Sequence, residues 1–142
     1  MMLYLQNIRE MKKILGQVKT IAIIGAKDKP GQPVDRVGRY LIGAGFTVYP
    51  VHPKRQNVWG LRTYTSILDI PDQIDLVNIF RAPEFCPDHA REVLQLKTLP
   101  LIFWLQEGII SEESRKILQE KSILFVQDKC VMIEHKCLFQ RN

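Results

Sequence analysis

Five short apolar runs recur along the chain with helix-period segments between them, and this alternation limits the fold more than any other feature. The runs are Thr20-Ile-Ala-Ile-Ile24, Phe46-Thr-Val-Tyr49, Asp75-Leu-Val-Asn-Ile-Phe80, Leu101-Ile-Phe-Trp-Leu105 and Ile123-Leu-Phe-Val126. Each is too short for a helix, and runs apolar at nearly every position suit strands buried on both faces. Between the first two, Val34, Val37, Leu41 and Ala44 fall at i, i+3, i+7 and i+10. That spacing makes one apolar stripe of a helix over about 34–44, with Gly45 placed as its C-terminal cap. A helix over about 83–96 carries Phe85, His89, Val93 and Leu96 along one face. Ser111, followed by Glu112 and Glu113, caps another.

The repetition of strand, helix and strand predicts an α/β fold: a Rossmann-like doubly wound parallel sheet of about five strands with helices on both faces. An N-terminal helix is expected within residues 1–17, over about 6–17, with the core spanning 18–137. Pro50 and Pro53 are expected to end the second strand, because neither can donate to a ladder. The stretch 59–64 reads as a short edge strand, and 66–70 as a helical turn stopping before Pro71.

A chain of 142 residues with 46% hydrophobic content suits a single domain over 1–142. It lacks an apolar run long enough to span a bilayer, and polar residues interrupt its first 13 positions, so a soluble, cytoplasmic protein without a membrane partner is expected. Cys86, Cys130 and Cys137 form no CxxC pair, which suits a reducing compartment and argues against a metal site.

Charge is unevenly placed. Residues 1–71 hold 11 Lys/Arg against 4 Asp/Glu, whereas 72–142 hold 9 against 11. A basic half calls for an anionic partner or is a solvated surface. Basic residues are not interleaved with clustered aromatics, and no Lys/Arg run exceeds two, so nucleic acid is not expected.

In a doubly wound sheet the ligand cleft lies beyond the carboxyl ends of the strands, where strand order reverses. That rule selects the loops 25–34, 50–55, 80–85 and 106–110. The first, Gly25-Ala-Lys-Asp-Lys-Pro-Gly-Gln-Pro33, lacks the Gly-x-Gly-x-x-Gly of dinucleotide sites, but Lys27, Lys29 and Arg36 surround the place of a phosphate. After the second strand stand His52, Lys54 and Arg55, where an NAD site has a carboxylate for the ribose. Cations there suit an adenosine with an extra phosphate, on the 2′ oxygen in NADP or the 3′ oxygen in coenzyme A; the alternative is a solvated turn.

The ordered set Ile21–Ala26, Arg36-Val37, Gly45–Lys54, Gly60, Asp75–Arg81 with Pro83-Glu84, Trp104–Gln106 with Gly108, and Cys130 with Glu134-His135 resembles the small stand-alone CoA-binding proteins. These are similar to the CoA-binding domain of the succinyl-CoA synthetase alpha subunit. The resemblance implies coenzyme A, free or acylated, as the bound cofactor. It implies that Gly25, Ala26, Lys27 and Arg36 hold the pyrophosphate. Val51, His52, Pro53 and Lys54 would bracket the adenosine and its 3′-phosphate, with Phe80, Arg81 and Ala82 lining the opposite wall. Gln106 and Gly108 would lie near the pantetheine. The chain departs from the family pattern at Lys27, where serine is usual, at His52, where asparagine is usual, at Ala82, where a second arginine is common, and at Lys129, where an arginine commonly precedes the cysteine.

The expected role is binding without catalysis, and no catalytic residue is assigned. The phosphorylated histidine of those synthetases belongs to a later domain with no match here. One alternative is an enzyme using NADP or acyl-CoA, with Cys130 or His135 acting chemically. Another is a protein-interaction module that binds no nucleotide, and a homo-oligomer or protein partner fits either reading.

Overall fold

Alternate residues of the central strands point to opposite faces, so a sheet apolar on both faces must be covered twice. The computed structural model describes residues 2–140 and has that architecture. Helices α1 (Met2–Leu15), α2 (Pro33–Gly43), α3 (Cys86–Val93), α4 (Glu112–Leu118) and α5 (Val131–Phe139) alternate with strands. These are β1 (Thr20–Ile24), β2 (Thr47–Val51), β3 (Asn57–Val58), β4 (Leu61–Arg62), β5 (Leu76–Ile79), β6 (Ile102–Leu105) and β7 (Leu124–Val126). Five of them form one parallel sheet in the order β2-β1-β5-β6-β7. The fold is α/β and Rossmann-like, and strand order reverses between β1 and β5.

Ile21, Ile23, Leu76, Ile102 and Trp104 pack on one face with Val34, Val37, Leu41 and Val131 of α2 and α5. Ala22, Ile24, Val77, Ile79, Phe103 and Leu105 pack on the other with Cys86, Ala90, Val93 and Leu118 of α3 and α4. Burying each large side chain contributes about 2 kcal/mol, so both layers are tied to the sheet mainly by these contacts. At the amino ends of the strands, Asp75 Oδ2 accepts the N–H groups of Lys19 and Thr20, fixing β1 against β5.

The α2 terminus follows the Gly45 expectation. Gly45 has φ +98°, its N–H bonds Ile42 O, and the Phe46 N–H reaches back to Leu41 O, which closes a Schellman motif. Ala44, placed on the apolar stripe, is instead the exposed cap residue.

Four further expectations need correction. The N-terminal helix begins earlier and ends at Leu15. The second strand runs through Pro50 to Val51. It is an edge strand, and Pro50 O accepts from Tyr64 N on the outer side, so the missing proline N–H costs no bond to β1. The stretch 59–64 is part of a hairpin, in which β3 and β4 flank Trp59 and Gly60, both at positive φ. The Trp59 ring lies against Gly38 and its Nε1 donates to Asp35 Oδ1 at 2.9 Å, contacts that hold a non-glycine residue in this conformation. Finally, Phe85 is exposed, because a 3-10 turn over Pro83–Phe85 precedes α3 and rotates it off the buried face.

Candidate functional site

The strand reversal leaves a gap above β1 and β5 that neither crossover covers, and a two-lobed cleft opens there. One lobe, about 360 Å³, is bounded by the start of α2 (Gln32, Pro33, Val34) and by Gln106, Glu107 and Ile109 after β6. The other, about 350 Å³, is bounded by His52 and Pro53 after β2. Gly25, Lys27, Phe80, Arg81 and Ala82 line both and therefore stand at the junction.

The floor of the junction is backbone. Gly25 has φ +87°, and a Cβ there would lie well inside 3.0 Å of Phe80 O. Only glycine lets the two loops approach this closely. Pro33 opens α2 at a position needing no N–H, and the Val34 N–H donates to no partner among the described residues. An unpaired helix-start N–H beside Lys27 and Arg81 favours an anion.

His52 reports the field of this site. Its Nδ1 accepts the N–H groups of Lys54 at 3.1 Å and Arg55 at 3.2 Å, which closes the loop after β2. An asparagine Oδ1 would sit at the same branch point and cap the same groups, so histidine preserves the turn while adding a titratable ring. Burial, then the charges of Arg55, Lys27, Arg81 and Lys54, hold its pKa below the ordinary 6.5. Arg55 is itself paired with Asp28 at 3.5 Å. Elsewhere, burial also lowers the pKa of His135.

Both histidines are thus more readily protonated in the unfolded chain. The stability they contribute is present above pH 6.5 and is lost as pH falls through their folded-state values. We expect the Tm of the free protein to decline between pH 7.5 and 5.5 in calorimetry. His52→Asn, which keeps the cap but does not titrate, is expected to give a shallower decline; an unchanged slope would remove His52 from this account.

Below the α2 lobe lies a buried polar pair. Asn78 Nδ2 donates to Gln106 Oε1 at 3.4 Å, and the same oxygen accepts the Val131 N–H at 3.4 Å. These bonds fix Gln106, only 4% exposed, at the edge of the cleft. Gly108 N–H to Asp128 Oδ1 and Ser111 N–H to Gln127 Oε1 strap down the loop that follows.

A family model described as a CoA binding domain matches residues 19–136. The chain belongs to that CoA-binding domain family. It is 34% identical to the uncharacterized protein YneT of Bacillus subtilis (strain 168), covering 89% of this chain and 92% of that one. It is 33% identical to the alpha subunit of acetate–CoA ligase (ADP-forming) I of Pyrococcus furiosus over 72% of this chain, yet the match spans only 24% of that subunit. Among solved structures, a Thermus thermophilus protein superimposes with a TM-score of 0.86 at 41% identity, covering 93% of this chain and 98% of that one.

Of the contacts expected of a CoA-binding domain, the cleft brings together Gly25, Lys27, His52, Pro53, Phe80, Arg81, Ala82 and Gln106. Others lie elsewhere. Ala26 is fully buried, and the N–H groups of Gly25 and Ala26 both donate to Val51 O, so neither is free for a pyrophosphate. Val51 is buried in β2, its carbonyl tying that strand to the β1 loop. Arg36, Lys54 and Gly108 are exposed and line neither lobe, although the Lys54 charge is felt at His52. Sequence reasoning assigned no individual binding role to Gln32, Pro33, Val34, Glu107 or Ile109, although they fall inside the selected loops, nor to Asn78, for which an Asn inside an otherwise apolar strand was the available signal. Cys130 is buried, and His135 Nδ1 is hydrogen-bonded to the Tyr40 hydroxyl at 2.6 Å. Neither residue lines the cleft.

Proposed function

We propose that the protein binds coenzyme A or an acyl-CoA in this cleft, without catalysing a reaction on it. The observation that carries the reading is the shared wall, where Lys27 and Arg81 flank a Gly25 cradle beside the start of α2. The residues present fit the ligand. The pyrophosphate would sit at the junction, on the Val34 N–H and the two cations. The adenosine would occupy the His52 lobe, its 3′-phosphate within the field of Lys54 and Arg55. The pantetheine would run past Gln32, Val34 and Gln106. Binding alone is proposed because the lining presents no nucleophile hydrogen-bonded to a base. On this reading the chain acts as a single cytoplasmic domain, its Cys86, Cys130 and Cys137 all free thiols. No helix among the described residues is long and apolar enough to cross a membrane.

Thermal shift tests this. CoA at about 100 times its Kd should stabilise the native state by about 2.7 kcal/mol, raising the Tm by about 8 °C. Dephospho-CoA at the same concentration is expected to give a smaller rise, and NAD the least. No shift with millimolar CoA would overturn the proposal.

A further inference from the structure

The two lobes differ in charge, and the difference bears on what a bound CoA carries at its sulfur. The two cations lining the cleft, Lys27 and Arg81, belong to the junction and are common to both lobes, and the titratable His52 lies on the adenosine side. Beyond the junction the α2 lobe is lined by Gln32, Pro33, Val34, Gln106, Glu107 and Ile109, a set with no cation and one carboxylate. Outside the lining, Asp128 Oδ1 holds the N–H of Gly108, the residue after Glu107, at 2.7 Å. Lys129, the next basic residue in the chain, lines a different groove between α1 and α5. The loop bearing Glu107 and Ile109 is braced at both ends, with Ile109 N–H on Gln106 O and Asp128 N–H on Ile109 O. The neighbouring Ile110 is 51% exposed, which extends the apolar surface outward from the lobe.

Resting on the proposed CoA reading, we infer that the site accepts an uncharged, apolar acyl group and discriminates against acyl groups ending in a carboxylate. With the diphosphate taking up Lys27 and Arg81, a terminal carboxylate on the acyl chain would meet Glu107 with no compensating cation in the lining of that lobe. A short alkyl chain would instead cover Ile109 and remove apolar surface from water. Like charges about 4 Å apart cost about fivefold in affinity even at the dielectric of water, and more beside a low-dielectric wall.

The test is isothermal titration of the intact protein with CoA, butyryl-CoA and succinyl-CoA at low ionic strength, repeated with Glu107→Gln and Glu107→Lys. Succinyl-CoA should bind about fivefold or more weakly than butyryl-CoA. That ratio should shrink in Glu107→Gln and approach or cross unity in Glu107→Lys. A ratio near one in the unaltered protein, or one that neither substitution moves, overturns the inference while leaving CoA binding intact. Failure of CoA itself to bind overturns the proposed function instead, and the two failures are therefore distinct.

Discussion

Gly25→Ala is expected to lower the Tm by about 10 °C and to weaken any ligand held at the lobe junction. Two costs combine. At φ +87° an alanine is strained by about 1 kcal/mol, and its Cβ is driven into Phe80 O. That oxygen cannot step aside freely, because the Phe80 N–H is bonded to Ile24 O at 2.8 Å as the last rung between β1 and the strand beside it. Overpacking against fixed backbone adds about 2 kcal/mol, and a total of about 3 kcal/mol gives the stated shift for a chain of this size. Gly31 supplies the control. It shares φ +87°, yet a Cβ there meets nothing within 4 Å. Gly31→Ala should therefore show the conformational cost alone, about 1 kcal/mol. Equal losses from the two substitutions, measured by calorimetry, would show that the Phe80 approach does not constrain the fold.

That approach also explains what was legible beforehand. The four loops chosen from strand order contain every residue lining both lobes, because the position of a cleft in a doubly wound sheet follows from topology, and topology follows from alternating periodicity. Which atoms in those loops remain free does not follow from topology. Gly25 and Ala26 sit where a dinucleotide turn would offer its N–H groups, but Val51 O, 26 residues away, takes both. Unpaired N–H groups begin only beyond them, and the one at the start of α2 is that of Val34. Asp35 is a similar case. It lies beside the apolar stripe of α2, was given no role from the sequence, and is 5% exposed. Its partners are Arg39 Nε, one turn on, and Trp59 Nε1, across the hairpin. Short-range periodicity carries no information about bonds of that sequence separation. Pro50 misled for the converse reason: a local rule about prolines applies to interior strands, and only the sheet order makes β2 an edge.

Arg81 is where charge, geometry and titration meet, so Arg81→Glu is expected to have the largest effect on binding. Arg81 lines both lobes, and its guanidinium lies over the Phe85 ring at 4.3 Å, which restrains the side chain. With CoA bound as proposed, its loss would remove a charge-assisted bond to phosphate, worth about 1.5–3 kcal/mol, and the new carboxylate would add repulsion. CoA affinity should fall at least about 100-fold. Lys97→Glu, which makes the same change in net charge on an exposed residue lining a separate groove, should alter affinity little at moderate salt. A second readout needs no ligand. Arg81 is one of the cations holding the His52 pKa down, so in the free Arg81→Glu protein that pKa should rise, followed by NMR of the imidazole. The sign has a consequence for binding. A phosphate seated among Lys27, His52 and Arg81 opposes the same cations, so CoA should also raise the His52 pKa and be accompanied by proton uptake near neutral pH. A loss of affinity without movement of His52 would place the phosphate away from the adenosine lobe. Movement of His52 in Arg81→Glu with CoA affinity intact would remove Arg81 from the binding site.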